Sequence, residues 1–451
     1  MRHNNIINNI NTCGAMLRGI TPLAVSGRIA SASGLVAEIG GLTGQVCMGD
    51  QLLLHGRDGA AVRAEVAGFR DGLARALPFG GLDGLGPGQI ATVLPRGAGM
   101  LAVSDGWLGR VVDPLGRAID GRGPVPPGAV PRPILASPPR ATARARLGGR
   151  LTLGVRALDL FTTCRLGQRL GLFAGSGVGK STLLAMLARD AQCDVAVIAL
   201  VGERGREVRE FLEDDLGPEG LARSVVVIAT SDAPPVLRRR AAHTAMTVAE
   251  HFRDQGLSVL LMMDSVTRFC LAAREIGLSA GEPPSTRGYP PSVFADLPRL
   301  LERAGPGEDK GEGATGFITA LFTVLVEGDD TNEPVADAVR GILDGHVLLD
   351  RRIAESGRYP PVDVLRSLSR AAAGCLSAEE AALIRRARGI VALQMEMADL
   401  VRMGAYRAGA DPAVDEALLL GPRIEAVLRQ ERDDFTALEE AFAGLRMALA
   451  G

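Results

Sequence analysis

The sequence predicts an α/β core built on a mostly parallel sheet, preceded by a small antiparallel β-barrel and followed by a helical domain. Three observations carry this expectation. Between residues 151 and 375, strand-length runs that are apolar on both faces alternate with helix-like runs, the pattern of a covered parallel sheet. Ahead of them, short alternating segments are broken by Gly- and Asp-containing turns, the pattern of a barrel or sandwich. After Cys375 no strand signal remains, and apolar residues recur near helical spacing to the end.

Composition narrows the class. At 451 residues and 47% hydrophobic, the chain has length for two or three domains and a large core. Aromatics are only 4%, so that core is expected to be aliphatic. Lys+Arg total 50 against Asp+Glu 52, which removes the overall electrostatic case for a nucleic-acid protein but leaves room for a local basic groove. No apolar run approaches the roughly 18 residues of a membrane span, and the N-terminus lacks the apolar core and cleavage site of a signal peptide. Six scattered cysteines (13, 47, 164, 193, 270, 375) form no CxxC pair, so reduced thiols in a cytoplasmic protein are expected. Five histidines in no ligand spacing argue against zinc, and His243 is expected as a packed or solvated side chain in a helix.

Residues 1–23 are polar with Ile6, Ile7, Ile10, Leu17 and Ile20 loosely at helical spacing, which fits either a short partner-binding helix or a frayed terminus. The barrel is expected over 24–95, with strands at Val25–Ile29, Leu35–Ile39, Gln51–Leu54 and Val62–Phe69 and a glycine-rich loop at Gly80–Gly88. The core domain is expected over 96–375. Gly109–Arg117 reads as a compact turn on two short strands. The proline-crowded stretch 121–139 reads as an extended surface connector. Strands are expected at Leu170–Phe173, Val195–Val201, Val225–Ala229, Val259–Met263 and Phe317–Val326, and helices at Ser181–Arg189, Arg206–Asp214 and Val236–Gln255. The helical domain, 376–451, is expected as Ala378–Ala408, Val414–Leu420 and Ile424–Leu449.

The strongest chemical signal is Leu170–Leu184. A strand, a glycine-dense turn and a helix in that order form the context a phosphate-binding loop requires. Gly175, Gly177 and Gly179 lack a Cβ, so the backbone running through Ser176 and Val178 to Thr182 can turn its N–H groups onto phosphate oxygens. The following helix adds its positive N-terminal end. Lys180 can reach the β- and γ-phosphates, and the Ser181 hydroxyl can coordinate Mg²⁺. The general motif begins with Gly, and this chain has Ala174 there. Asp264, ending the strand Val259–Met263, is placed to hold the Mg²⁺ shell; such an Asp alone is an ordinary turn residue. Glu203, at the end of Val195–Val201, is placed to polarise water in line with the γ-phosphate; alone it could be a helix-start charge.

Five blocks together carry a resemblance: Phe173–Ser181, Gly202–Phe211, Asp264–Phe269, Gly281–Phe294 and Leu343–His346. They resemble the flagellar protein-export ATPases and the related type III secretion ATPases, which are similar to the catalytic subunit of rotary ATP synthases. The resemblance spans about residues 24 to 440 and tolerates Ala174. It implies a RecA-like P-loop core that binds ATP and Mg²⁺ and hydrolyses ATP at the interfaces of a homohexameric ring. It implies roles for Glu203 as the water-activating glutamate, Arg204 as its neighbouring arginine, Tyr359 as the aromatic stacked on adenine, and Arg370 as the arginine that reaches the next subunit's site. It also implies partners: a stator-like regulator, a central stalk, export-gate membrane proteins, export substrates and chaperones. The place implied is the cytoplasmic face of the membrane at the flagellar base. The helical domain is expected to contact partners rather than nucleotide. A virulence-type secretion ATPase shares every motif. A ring-shaped RNA translocase is disfavoured by neutral charge and scarce aromatics, and a non-catalytic nucleotide-binding subunit by the presence of Glu203.

Overall fold

The computed structural model describes residues 24–309, 311, 315–326 and 333–450; residues 1–23, read as either a partner-binding helix or a frayed terminus, lie outside them. The chain forms two compact units, one containing residues up to Met100 together with Ile276–Glu282, the other Leu101–Glu275 with Pro283–Gly451.

The first unit holds a closed barrel of β1 (Ser26–Ser33), β2 (Val36–Gly40), β3 (Gln51–His55), β4 (Ala61–Arg70), β5 (Leu73–Pro78) and β6 (Ile90–Val93), in the order β1-β2-β5-β4-β3-β6. Alternation puts Ile29, Ile39, Leu52, Leu54 and Val66 inside. Register shifts at Ile29/Ser31 and Val66/Gly68 bend the strands that close the barrel. The four expected strands are present, and β5 and β6 are additional. β4 turns into β5 through Asp71-Gly72, both at positive φ, an Asp-Gly hairpin turn. Arg75 donates to the carbonyls of Ala280 (2.6 Å) and Ser279 (2.9 Å).

The second unit is organised on a nine-stranded sheet. Its strands are β7 (Arg110–Val112), β10 (Arg169–Ala174), β11 (Val195–Glu203), β12 (Ser224–Thr230), β13 (Ser258–Asp264), β14 (Gly305–Pro306), β15 (Phe317–Leu325), β16 (Gly345–Leu349) and β17 (Leu368–Ser369). Two short strands outside it, β8 (Arg150–Leu151) and β9 (Cys164–Arg165), pair with each other. The main order is β17-β16-β10-β15-β13-β11-β12-β7, with β14 paired to β15. From β16 to β7 every pairing is parallel; β17 is an antiparallel edge, and β14 pairs antiparallel with the start of β15. All nine residues of β11 are buried, because helices cover both faces.

The turn expected over Gly109–Arg117 is present, with Val112 bridged antiparallel to Ala118 across Asp113–Arg117; what the sequence did not show is that Arg110–Val112 is also the parallel edge strand of the main sheet, with Val111 and Val112 buried against it. The stretch 121–139 is extended, as expected, but it is anchored. The Pro126 carbonyl accepts from Ser104 Oγ (2.8 Å) and Trp107 Nε1 (3.1 Å), and Ile134 is buried. Arg303 donates to the Ile134 carbonyl (2.6 Å) from a buried pair with Glu250. His243 is packed within the helix Pro235–Arg253, where burial and nearby arginines push its imidazole pKa well below the usual value.

The helical region consists of Ala378–Arg402, Pro412–Leu428 and Leu438–Leu449. Ser377 and Glu380 form a capping box at its start. The break expected between Leu420 and Ile424 is absent. Pro422 removes one helical N–H, but Leu420 and Ile424 stay on one buried face, and Gly421 lets the Gln394 side chain pack directly on the backbone. The break falls instead at residues 429–437.

Candidate active site

β10 ends at Ala174, which is buried and registered against Leu325 on one side and Leu349 on the other. The first motif position is therefore part of the strand, where Ala fits as well as Gly. The positive φ values of Gly177 (76°) and Gly179 (85°) make the turn. Gly175 is buried and needs no such conformation. Val178 anchors the loop in the core, while Ser176 and Gly177 are exposed. Gly179 starts the helix Lys180–Asp190 without a side-chain cap, so the first-turn N–H groups face the site together with Ser181, which is exposed, and Thr182.

A cavity of about 620 Å³ opens over this loop, lined by Lys180, Ser181, Glu203, Arg204, Arg268 and Arg351 among others. Two strand ends bring the carboxylates to it. β13 delivers Asp264, 3% exposed, whose Oδ1 takes the Lys180 ammonium and the Thr323 hydroxyl (2.7 Å). β13 does not neighbour β10; β15 lies between them and supplies Thr323. The interior strand β11 delivers Glu203, 8% exposed. Its Oε1 lies 3.7 Å from Lys180 Nζ and makes no hydrogen bond, and its Oε2 lies 3.5 Å from Arg268. Burial and the neighbouring Asp264 raise the Glu203 pKa, and Lys180 and Arg268 oppose that rise. A buried carboxylate with one unbonded oxygen beside a phosphate loop is chemically able to accept a proton from water.

Three further cationic groups line the same cavity. Arg204 is exposed and pairs with Glu207 at 3.0 Å. Arg268, on the helix Val266–Ser279, reaches back to the Gly202 carbonyl and Glu203. Arg351, opening the helix Arg351–Glu355, donates to the Ser176 carbonyl at 2.8 Å. The roles of Arg268 and Arg351 are absent from the sequence expectation. Arg268 stands one helical turn after Asp264, which was a usable signal; Arg351 had none, because its partner is 175 residues away.

The donor set fits an oxygen-ligated divalent cation. Ser181 and Asp264 are oxygen donors at the loop, and no group of three His, Cys, Asp or Glu able to hold a metal occurs among the described residues. This suits Mg²⁺ arriving with phosphate oxygens.

Tyr359, 48% exposed, packs its ring on Gly179, where an added Cβ would meet the ring at 3.5 Å. It borders a smaller cavity of about 210 Å³ lined by Thr182, Met186, Gln430 and Arg432. The helical region, expected to stay clear of nucleotide, thus forms one wall of this cavity. Arg370 is not brought to the phosphate loop of its own chain. Its N–H and guanidinium donate to the carbonyls of Asp344 (2.9 Å) and Leu343 (3.3 Å), at the start of β16. β16 runs parallel to β10, so Arg370 lies on the order of 15–20 Å away, at the opposite end of the strands.

Residues 154–369 match the model of the ATP synthase alpha/beta family nucleotide-binding domain, and residues 376–447 the T3SS EscN ATPase C-terminal domain. The flagellum-specific ATP synthase of Caulobacter vibrioides is 52% identical over 437 residues, 96% of this chain and 98% of that protein. The type 3 secretion system ATPase of Xanthomonas euvesicatoria is 47% identical, covering 94% of each chain. The assembled ATPase EscN of the enteropathogenic E. coli type III secretion system superposes with a TM-score of 0.85 at 38% identity, over 94% of this chain and all of that one. With the barrel, the phosphate loop and the buried carboxylates in place, the chain belongs to the family of flagellum-specific ATP synthases and type III secretion ATPases, and it is an ATP-hydrolysing enzyme.

Proposed function

We propose that this ATPase energises export of flagellar subunits through a flagellar type III apparatus, hydrolysing Mg-ATP at the subunit interfaces of a homohexameric ring. The observation that carries the hydrolytic reading is Glu203: a buried carboxylate with a raised pKa and one unbonded oxygen, 3.7 Å from the phosphate-loop lysine. In this reading the backbone of Gly175–Thr182 and Lys180 bind the phosphates, and Glu203 takes a proton from the attacking water. Arg268 holds the Glu203 carboxylate, and Arg204 lies at the mouth beside them. Tyr359 takes the base. Arg370 serves the neighbouring copy's site, which its distance from its own loop supports. Mg²⁺, held by Ser181 and assisted by Asp264, would neutralise developing phosphate charge when bound.

Flagellar export is favoured by the Caulobacter relative, matched over nearly its whole length. The second reading, a virulence-type secretion ATPase, is favoured by the Xanthomonas relative and the EscN fold. A central stalk is proposed from the solved complex of EscN with its central stalk EscO. The stator-like regulator, the export gate, substrates and chaperones, and peripheral placement at the inner membrane face belong to the same proposal. Among the described residues no helix is long and apolar enough to cross a membrane.

The test is Lys180→Ala introduced into the native host. ATP turnover should fall by roughly a hundredfold or more, about 3 kcal/mol of barrier. Filaments should fail to assemble while effector secretion by any injection apparatus continues. Loss of effector secretion with normal motility would select the second reading.

A further inference from the structure

Residues 429–437 link the second and third helices of the helical region, and Gln430 is the point at which this link meets the Tyr359 segment. Its side chain is 3% exposed and uses both amide hydrogens and its carbonyl. Nε2 donates to the carbonyls of Gly154 (2.8 Å) and Asp434 (2.6 Å), and Oε1 accepts from the Arg156 N–H (2.9 Å). These bonds pin the link to the start of the helix Arg156–Phe161, deep in the α/β core. The backbone N–H of Gln430 then donates to the Tyr359 carbonyl at 2.8 Å. The Tyr359 ring has little of its own to hold it. It is half exposed and packs on Gly179. The placement of the ring therefore depends on where its backbone is tied: buried Arg358 holds the segment by donating to the Pro360 (3.1 Å) and Val362 (2.9 Å) carbonyls, and Gln430 holds the Tyr359 carbonyl itself.

We propose that Gln430 is a positioning residue for the nucleotide base: its buried amide fixes the helical-region link so that the link's backbone holds Tyr359 over the cavity beside Thr182 and Met186. A fully satisfied buried amide specifies one arrangement, because any shift leaves Gly154 O, Asp434 O or Arg156 N–H without a partner. The inference rests on the reading that Tyr359 takes the base. It also makes the helical region part of the nucleotide site.

Steady-state hydrolysis by the full chain tests this, with ATP as substrate and inorganic tripolyphosphate as a competitor that has phosphates but no base. Gln430→Ala, the volume-conserving Gln430→Met, Tyr359→Ala and the double variant Gln430→Ala/Tyr359→Ala are compared. The expected result is an ATP KM raised at least roughly fivefold in each single variant, the size of a lost base–aromatic stack. The double variant should add little to either single change. Inhibition by tripolyphosphate should keep its wild-type strength. If Tyr359→Ala raises KM and both Gln430 variants do not, the positioning role is overturned and the base reading stands. If Tyr359→Ala leaves KM unchanged, the base reading fails and the inference falls with it. If tripolyphosphate inhibition weakens in parallel with KM, Gln430 supports the unit as a whole rather than the base, which also overturns the proposal. Should Gln430→Ala not fold, Gln430→Met carries the same comparison.

Discussion

Lys180 lies between two carboxylates held in different states. Asp264 is satisfied by the ammonium and by Thr323, whereas Glu203 keeps one oxygen unbonded in a buried position. That oxygen is costly to the fold and useful to a reaction that must move a proton. Glu203→Gln keeps the shape and removes the base, so ATP should still bind while hydrolysis drops by at least roughly a hundredfold. Loss of binding together with hydrolysis would assign Glu203 to structure. The pH dependence follows from the same geometry. Burial and Asp264 raise the Glu203 pKa, and the base works only when ionised, so kcat/KM should climb with pH through that raised value. Arg268→Ala removes a cation that favours the carboxylate, raises the pKa further, and should move the acid limb to higher pH. A limb that moves down or stays fixed contradicts the contact. Lys180, Ser181, Glu203 and Asp264 are legible in the sequence because each sits in or beside a contiguous strand-to-turn pattern. Arg351 and Gln430 are not, because their meaning lies in backbone atoms that only folding brings near.

Elements explain why some boundaries were readable. β11 and β13 are uniformly apolar and end in a charge, so their limits show in the sequence. The β4–β5 hairpin was equally readable from Asp71-Gly72, and the expectation that stopped at Phe69 passed over that dipeptide. β16, and the place of β7 in the main sheet, escape because five and three residues carry too little pattern without knowledge of the strand they join. The proline-rich stretch looked like surface, yet Gly128 shows how tightly it is seated. Its N–H donates to the Ala102 carbonyl at 2.9 Å, and an added Cβ would sit 1.9 Å from the Val103 carbonyl oxygen. Backbone cannot yield as a side-chain tip can, so Gly128→Ala should destabilise by about 1–3 kcal/mol, read as a lowered urea midpoint. An unchanged midpoint would mean that the stretch lies loosely. Truncation after Cys375 tests the helical region. The sequence alone suggested that such a chain keeps its nucleotide site. With Gln430 tied to Tyr359, a soluble and folded truncation should lose ATP affinity while retaining tripolyphosphate binding. Full retention of ATP affinity would return the helical region to partner contacts alone.

At the scale of the whole molecule, Arg370 is bonded at the start of β16, the end away from the phosphate loop, and in the proposed reading it serves the site of a second copy. An arginine supplied across an interface is worth roughly 10³ to 10⁵ in rate, and Arg370→Ala should be nearly as inactive as Glu203→Gln. The direct measurement is the ATPase activity of the two inactive variants mixed one to one, with mixed rings verified by mass. In a head-to-tail ring each interface joins one copy's phosphate loop to its neighbour's Arg370 face. About a quarter of the interfaces then pair an intact Glu203 with an intact Arg370. The split-site account predicts activity well above either parent, approaching about a quarter of normal if the sites act independently. Mixed rings that stay as inactive as their components would contradict it.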